Sequence, residues 1–300
     1  MGIPASTAPG NVIRALLIHL RLHFQLLLAP IFLWGYVLAG GGPTVKGLAV
    51  FVAFHIFGYA GGTALNSYYD RDAGPIGGLV APPPVVPALL PFSLAWQLLG
   101  FSVVLALNIR AALIYATMFW LSLGYSHPAT RWKRRTWAAL LIVAVGQGYL
   151  AFGAGWLTAQ PAGTGLASPL AWLGASSAAL LVTGFYPISQ IYQVEEDRRR
   201  GDQTLAVRFG VRPALVGAGA LSIVGLLGLV SAAAWRFGPA DAVLLLLGYI
   251  GFGLWLFRPM RRLVTGQLAM LDQYRLVMRA ALLNAAGLWL YLAVRLALNT

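Results

Sequence analysis

The sequence contains no cysteine, which removes disulfides and thiolate metal sites from consideration. Charge is scarce as well: 10% of the 300 residues are charged, against about a quarter in a soluble globular domain. Acids number eight and histidines four. A chain this poor in charge, 59% hydrophobic and with a mean hydropathy of +0.75, falls outside the soluble globular class. Also missing are the ~10-residue segments of alternating polarity that a membrane β-barrel needs. The start, "MGIPASTAPG", has no basic head before a short apolar stretch, so no cleaved leader is expected; its Met-Gly pattern for acylation would add little to an integral protein.

What the sequence has instead is long apolar runs rich in Leu and Ala. Nine are long enough, at about 17 to 25 residues, to cross a ~30 Å hydrocarbon core as helices. They fall near 16–39, 46–66, 88–107, 109–125, 136–157, 168–190, 212–234, 240–258 and 276–298. The expectation is an all-α integral membrane protein in which nine transmembrane helices surround a central chamber capped by cytoplasmic loops. The net charge of +13 has no soluble domain to sit on, so it does not point to nucleic acid. It reports topology: 17 of the 21 Lys and Arg lie at the N-terminal end or in even-numbered loops, and only Lys46, Arg110, Arg236 and Arg295 lie opposite. The positive-inside rule then puts the N-terminus in the cytoplasm and the C-terminus outside, in a cytoplasmic (inner) membrane.

The acids are gathered more tightly than the bases. Asp70 and Asp72 close span 2, and Glu195, Glu196, Asp197 and Asp202 close span 6, leaving only Asp241 and Asp272 elsewhere. Carboxylates beside hydrocarbon are costly, so two such groups on one membrane side point to function. Asn66 and Asp70 are i, i+4 and share a helix face, which Thr63 and Tyr59 continue downward. Tyr186, Gln190, Gln193 and Asp197 form a second stripe, with Glu196 about one turn from Gln193.

Oxygen donors without Cys and with only scattered His select a hard cation such as Mg²⁺, which typically links one or two carboxylates to a substrate's phosphates. The basic segment "YSHPATRWKRR", Tyr125 to Arg135, emerges on the same side. Carboxylates, Mg²⁺, phosphates and Arg or Lys alternate in charge above an apolar interior. A substrate with a diphosphate head and a long hydrocarbon tail matches both parts. Taken singly, "RWKRR" reads as a solvated loop, "EEDRRR" as a helix-end charge run and the Asn/Asp pair as a polar helix end. Their meeting on one side is what favours function.

At these residues the chain resembles the UbiA superfamily of intramembrane prenyltransferases. That family's first motif, Asn-x-x-x-Asp-x-x-x-Asp, is matched by Asn66 and Asp70, but Gly74 stands at the third position, with Asp72 two residues earlier. The second motif is similar to "QIYQVEEDRRRGDQTLAVRFG", with Gln193 where many members have Asp and with Glu196 and Asp197 keeping the later acids. "YSHPATRWK" resembles the Tyr-Ser-x-Pro-Pro-x-x-x-Lys segment of chlorophyll-synthase-like members. The resemblance implies a single domain over 1–300, a pseudo-repeat pairing spans 2 and 6, and ionisation of an allylic diphosphate. It implies Asp70 and Asp197 as catalytic acids and Asn66, Asp70, Asp72, Glu196 and Asp197 as Mg²⁺ ligands. Diphosphate contacts would come from Arg21, Arg131 and Lys133, with Arg198 and Arg71 as lesser candidates.

Chamber candidates are Gln25, one turn from Arg21, together with His55, Tyr59, Gln147, Tyr186, Gln190 and Gln193, and the aromatic residues Phe54, Tyr149 and Tyr192. His55 is three turns before Asn66 and is read as a buried polar contact or an acid/base beside an acceptor. Gly74, Gly77 and Gly78, followed by Pro82, Pro83, Pro84 and Pro87, suit a hinged segment over the diphosphate or an ordinary loop. Transfer of a prenyl group to a hydrophobic or aromatic acceptor is the leading expectation. A terpene cyclase without acceptor and a lipid transporter or binding protein are the rivals. Transporter sites lie near the midplane, whereas these acids lie at one face.

Overall fold

The computed structural model describes residues 9–298, so the Met-Gly start lies outside the described residues. The described residues are helical, with two isolated bridges among them, Ile76 to Leu79 and Arg135 to Gln203. The elements are α1 (Pro9–His19), α2 (Leu22–Gln25), α3 (Ala29–Leu38), α4 (Val45–Asp70), α5 (Leu89–Leu107), α6 (Ile109–Ser126) and α7 (Thr136–Ala159). There follow α8 (Pro169–Ser189), α9 (Val194–Arg200), α10 (Leu205–Phe209), α11 (Val211–Phe237), α12 (Pro239–Val264) and α13 (Met270–Leu298).

Seven helices, α4, α5, α7, α8 with its extension to Arg200, α11, α12 and α13, are each long and apolar enough to cross a membrane. The expected first span is broken. Its two halves, Gly10–Gln25 and Ala29–Leu38, meet at 43° and are together long and apolar enough for an eighth crossing. Within the first half, Arg21, whose φ of 48° is left-handed, ends the ladder of α1 before α2 begins. The remaining expected span coincides with α6, whose 18 residues carry Arg110, Ser, Thr and Tyr and are less apolar than the others.

Local chemistry sets the helix ends. The Thr44 hydroxyl accepts from Gly47 N (2.9 Å) to start α4, and Ser168 accepts from Ala171 N (3.2 Å) to start α8. Asn108 accepts from Arg110 N and Ala111 N to cap α6, while its amide donates to Leu157 O at 2.7 Å and ties α6 to α7. Pro187, with no N–H, weakens the last turn of α8. The chain then passes through a 3₁₀ turn, Ile191–Gln193, into α9, which re-aims the acids of α9.

Close helix approach depends on glycine, the usual device where lipid supplies no hydrophobic drive between helices. Gly35 on α3 lies against the Phe152 carbonyl of α7, and Gly155 on α7 lies against the Phe32 carbonyl of α3; a methyl on either would overlap that carbonyl. Trp34, Phe152, Leu38, Leu229 and Leu292 form the core around this crossing. Outward, Leu254, Phe257 and Leu290 stay largely exposed, as lipid-facing residues must. Two π-helical stretches, Ala53–Tyr59 in α4 and Val143–Leu150 in α7, widen the bundle where its interior is hollow.

Candidate functional site

The ends of α4 and α9 meet beneath the 71–88 loop and enclose a polar cavity of about 120 Å³. Its wall includes Arg21, Asn66, Asp70, Asp72, Lys133 and Asp197. Arg21, Asn66, Gly77, Tyr125, Gln190 and Gln193 also line a second, larger cavity of about 400 Å³, so the two adjoin across these residues. The larger one runs down between α4, α6, α7, α8 and α13 and is walled by Phe54, Tyr59, Tyr115, Phe119, Phe185 and Tyr249. A charged mouth therefore adjoins a mainly apolar, aromatic chamber.

Cations hold the acids apart in pairs at this mouth. Lys133 is buried. Its Nζ bonds Asp70 Oδ1 and reaches Asn66 Oδ1 at 3.3 Å, with the Tyr125 ring 5.9 Å away. Ser126 donates to the same Asn66 oxygen at 2.9 Å. Arg200 binds across the two motifs, donating to Asp72 Oδ1 at 2.6 Å and to Glu196 Oε1. Arg131, at a left-handed φ of 35°, faces Asp202 Oδ2 at 3.2 Å, and Arg134 takes the other oxygen at 3.4 Å. Arg21, Arg71 and Arg131 are the non-glycine residues with positive φ among those described, and all lie at this end. Each such position costs about 1–3 kcal/mol, a strain that concentrates where function needs a side chain re-aimed.

The mouth is further knit by side-chain amides and hydroxyls. Arg21 donates to Thr63 O (2.9 Å) and Ser67 Oγ (3.0 Å), and reaches Gly77 O in the loop at 3.4 Å. Gln193 donates to Pro75 O at 3.0 Å and His23 meets Gly78 O at 2.8 Å, so the loop is fastened from both sides. Gly77 packs closely here: a Cβ would lie 2.7 Å from the Phe24 ring, so a side chain would have to displace the ring or the loop. At the chamber's throat the Tyr125 and Tyr186 hydroxyls share a 2.6 Å bond, and Gln190 donates to Tyr186 at 3.0 Å.

Most of the residues expected from the sequence come together here. Asn66, Asp70, Asp72, Asp197, Arg21 and Lys133 share the polar cavity, and Tyr59, Gln147, Tyr186, Gln190 and Gln193 line the chamber. Glu196 joins through Arg200, and Arg131 through Asp202, whose carboxylate is in the cavity wall. Five sit otherwise. Tyr149 is outside the chamber wall, its hydroxyl 3.1 Å from Ser176 Oγ, and Arg71 is outside the cavity wall, over the Tyr68 ring. Arg198 pairs with Glu195 on the exposed face of α9. Gln25 is buried behind the wall, donating to Leu20 O, Arg21 O and Thr63 Oγ1 where it braces the break before α2. The His55 ring pairs with Phe51 O at 2.8 Å and stacks on Phe51, with no place in the chamber wall. Arg200, Ser126 and Thr204 are not singled out by the sequence, and Asp202 only as one of the acids that close span 6; for Arg200 the i, i+4 spacing from Glu196 is the available signal.

The donor set suits a hard divalent cation. It is all oxygen, and Asp197 Oδ2 is buried with no hydrogen bond, the Thr204 hydroxyl lying alongside but out of bonding geometry. Among the described residues no three His, Asp or Glu side chains form a ready metal cluster; Lys133 and Arg200 occupy the space between them.

A helical membrane chamber with an acid-and-base mouth defines a class of lipid-handling proteins, and the sequence places the chain within it. The chain belongs to the UbiA prenyltransferase family, which it matches over residues 28–271. Its fold is similar to that of a UbiA homologue from Archaeoglobus fulgidus bound to DMAPP and Mg²⁺, at a TM-score of 0.66 and 20% identity, over 93% of this chain and 99% of that one. A digeranylgeranylglyceryl phosphate synthase structure aligns at a TM-score of 0.58 and 18% identity, over 95% of this chain and 98% of that one. A UbiA homologue from Aeropyrum pernix K1 aligns at 0.57 and 19%, over 90% and 98%. No curated protein matches the sequence.

Proposed function

We propose that the protein is a Mg²⁺-dependent intramembrane prenyltransferase that ionises a prenyl diphosphate and passes the prenyl group to a hydrophobic or aromatic acceptor. The observation that carries this is the polar mouth sharing its wall with a mainly apolar chamber of about 400 Å³, which suits a diphosphate head beside a hydrocarbon tail. The Archaeoglobus homologue with DMAPP and Mg²⁺ supports the same reading.

In this proposal Asn66, Asp70 and Asp197 hold Mg²⁺, with Asp72 and Glu196 completing the acidic rim. Bound there, the ion supplies Lewis-acid stabilisation of the charge that develops on a leaving diphosphate. The protein's own groups act around it. Lys133 and Arg21 place fixed positive charge at the mouth, and Arg131 stands behind Asp202 as a further cation. The fastened 71–88 loop covers the mouth as a lid and keeps water from the reacting carbon. Below it the chamber offers an allylic cation mainly apolar and aromatic surfaces, whose π-faces attract positive charge, with amides such as Gln147 among them. Asp70 and Asp197 are the acids on which turnover depends.

The whole chain serves as one domain, with α6 as a ninth span and the mouth on the cytoplasmic side, as the distribution of Lys and Arg supports. The aromatic lining also suits a cyclase that folds the prenyl chain on itself. Incubating purified protein with Mg²⁺ and C10 to C20 prenyl diphosphates, with and without acceptors, separates the two. Diphosphate release that requires an acceptor supports transfer, and a terpene formed without one supports cyclisation. No turnover at any chain length refutes both.

A further inference from the structure

We infer that Glu196, from the second motif, supplies the carboxylate that the first motif lacks at Gly74, and that Arg200 is the positioning residue that holds it there. The inference rests on the proposed metal and diphosphate site and concerns which side chains build it.

Gly74 is not demanded by the backbone. Its φ lies outside the left-handed range, unlike that of Gly78 at 85°, so a residue with a side chain could adopt the same conformation. What stands in the way is a carboxylate: a Cβ at residue 74 would lie 3.2 Å from Glu196 Oε2. The space an aspartate at 74 would fill is thus already filled by an acid from the opposite helix end.

Arg200 explains why Glu196 stays there. Residues 196 and 200 are i, i+4 on α9, and the guanidinium bonds Glu196 Oε1 with one nitrogen and Asp72 Oδ1 with the other, the latter at 2.6 Å. Asp72 is nearly buried, its side chain 6% exposed, and its arginine is 23% exposed. A planar fork between two carboxylates fixes both in direction. It draws Glu196 away from solvent and toward the end of α4, leaving Oε2 turned to Gly74. The other departure from the family pattern fits this arrangement. Gln193 bonds Pro75 O, tying down the residue next to Gly74 with an amide where a third nearby acid would repel Glu196.

The test is Mn²⁺ binding to the full-length protein in detergent, read by electron paramagnetic resonance with inorganic diphosphate present, alongside a melting curve for each variant. Parent protein binds Mn²⁺ and Asp70→Ala does not; failure there refutes the metal site itself. Given that result, Glu196→Ala should weaken Mn²⁺ binding about ten- to a hundredfold, the range for lost supporting groups around a metal. Gly74→Asp alone should give no tighter binding, because it sets a second acid against Glu196. The double variant Gly74→Asp/Glu196→Ala should bind at least about fivefold more tightly than Glu196→Ala, the acid having been returned to the first motif. Arg200→Gln should weaken binding as Glu196→Ala does, with Arg200→Lys in between. The inference is overturned if Glu196→Ala or Arg200→Gln binds Mn²⁺ like the parent, or if the double variant is no better than Glu196→Ala while melting like it.

Discussion

Replacing Lys133 by Met keeps the buried stem and removes one charge, and the structure makes the consequences separable. Lys133 Nζ is bonded to Asp70, whose side chain is 7% exposed, and is itself on a side chain only 10% exposed. Removing one member of such a buried pair typically costs about 3–5 kcal/mol, because the partner charge remains without compensation. Here the low end applies: Asp70 faces the polar cavity, where Arg21 and Arg200 also stand. A loss of about 3 kcal/mol corresponds to roughly 5 °C in melting temperature for a chain of this size. Mg²⁺ should then stabilise the variant more than the parent, since it no longer competes with an ammonium at Asp70; at a hundred times its Kd it returns about 2.7 kcal/mol. Turnover should fall about 10²- to 10³-fold, the cost of losing one charged donor to a developing anion. Adding Asp70→Asn to Lys133→Met should recover melting temperature without recovering turnover. Thermal shift by tryptophan fluorescence and a diphosphate-release assay read the two effects. A Lys133→Met protein that melts with the parent and turns over at its rate would refute the pairing and the role together.

Three further outcomes follow from the packing. Gly155→Val should prevent the α3 to α7 crossing, since its side chain would occupy the Phe32 carbonyl; the protein should fail to elute as a monodisperse species in gel filtration. Asp241 has a side chain 2% exposed and is bonded by both Arg295 and Tyr291 far from the mouth, so Arg295→Ala should lower stability by about 3–5 kcal/mol, measured by melting, with turnover of the surviving folded protein unchanged. Gly77→Val should push the 71–88 loop off Phe24; gas chromatography should then show a larger share of prenyl diphosphate ending as free prenyl alcohol, because water enters the mouth.

Where the sequence reveals the site, it does so through spacing along one helix. Asn66 and Asp70 do share a face, and their positions at a helix end are visible from the abrupt stop of the apolar run. His55 shows how that logic fails. Counting 3.6 residues per turn puts it below Asn66, but the π-helical stretch Ala53–Tyr59 intervenes, and wider turns rotate His55 off the chamber face. Gln25 is displaced by another local event, the left-handed Arg21 that ends α1 and starts the short α2. Arginine rarely adopts that conformation, so nothing in the apolar pattern announces it. The α6 helix shows the limit of hydropathy alone: its polar residues lie among apolar ones, and Asn108 and Tyr115 make their bonds to other helices. The pairing of Arg200 with Asp72, and the approach of Glu196 to Gly74, join residues far apart in the chain, and no periodicity encodes such contacts.

The central claim is that the two acid-ended helices build a Mg²⁺-dependent diphosphate site over a prenyl chamber. It is tested most directly by measuring diphosphate release from C10 to C20 prenyl diphosphates by the parent protein, by Asp70→Ala and by Asp197→Ala, each with Mg²⁺ and with EDTA. Release by the parent that disappears with EDTA and in both variants is the predicted result. Near-parental release by either variant, or release by the parent in EDTA, would contradict it.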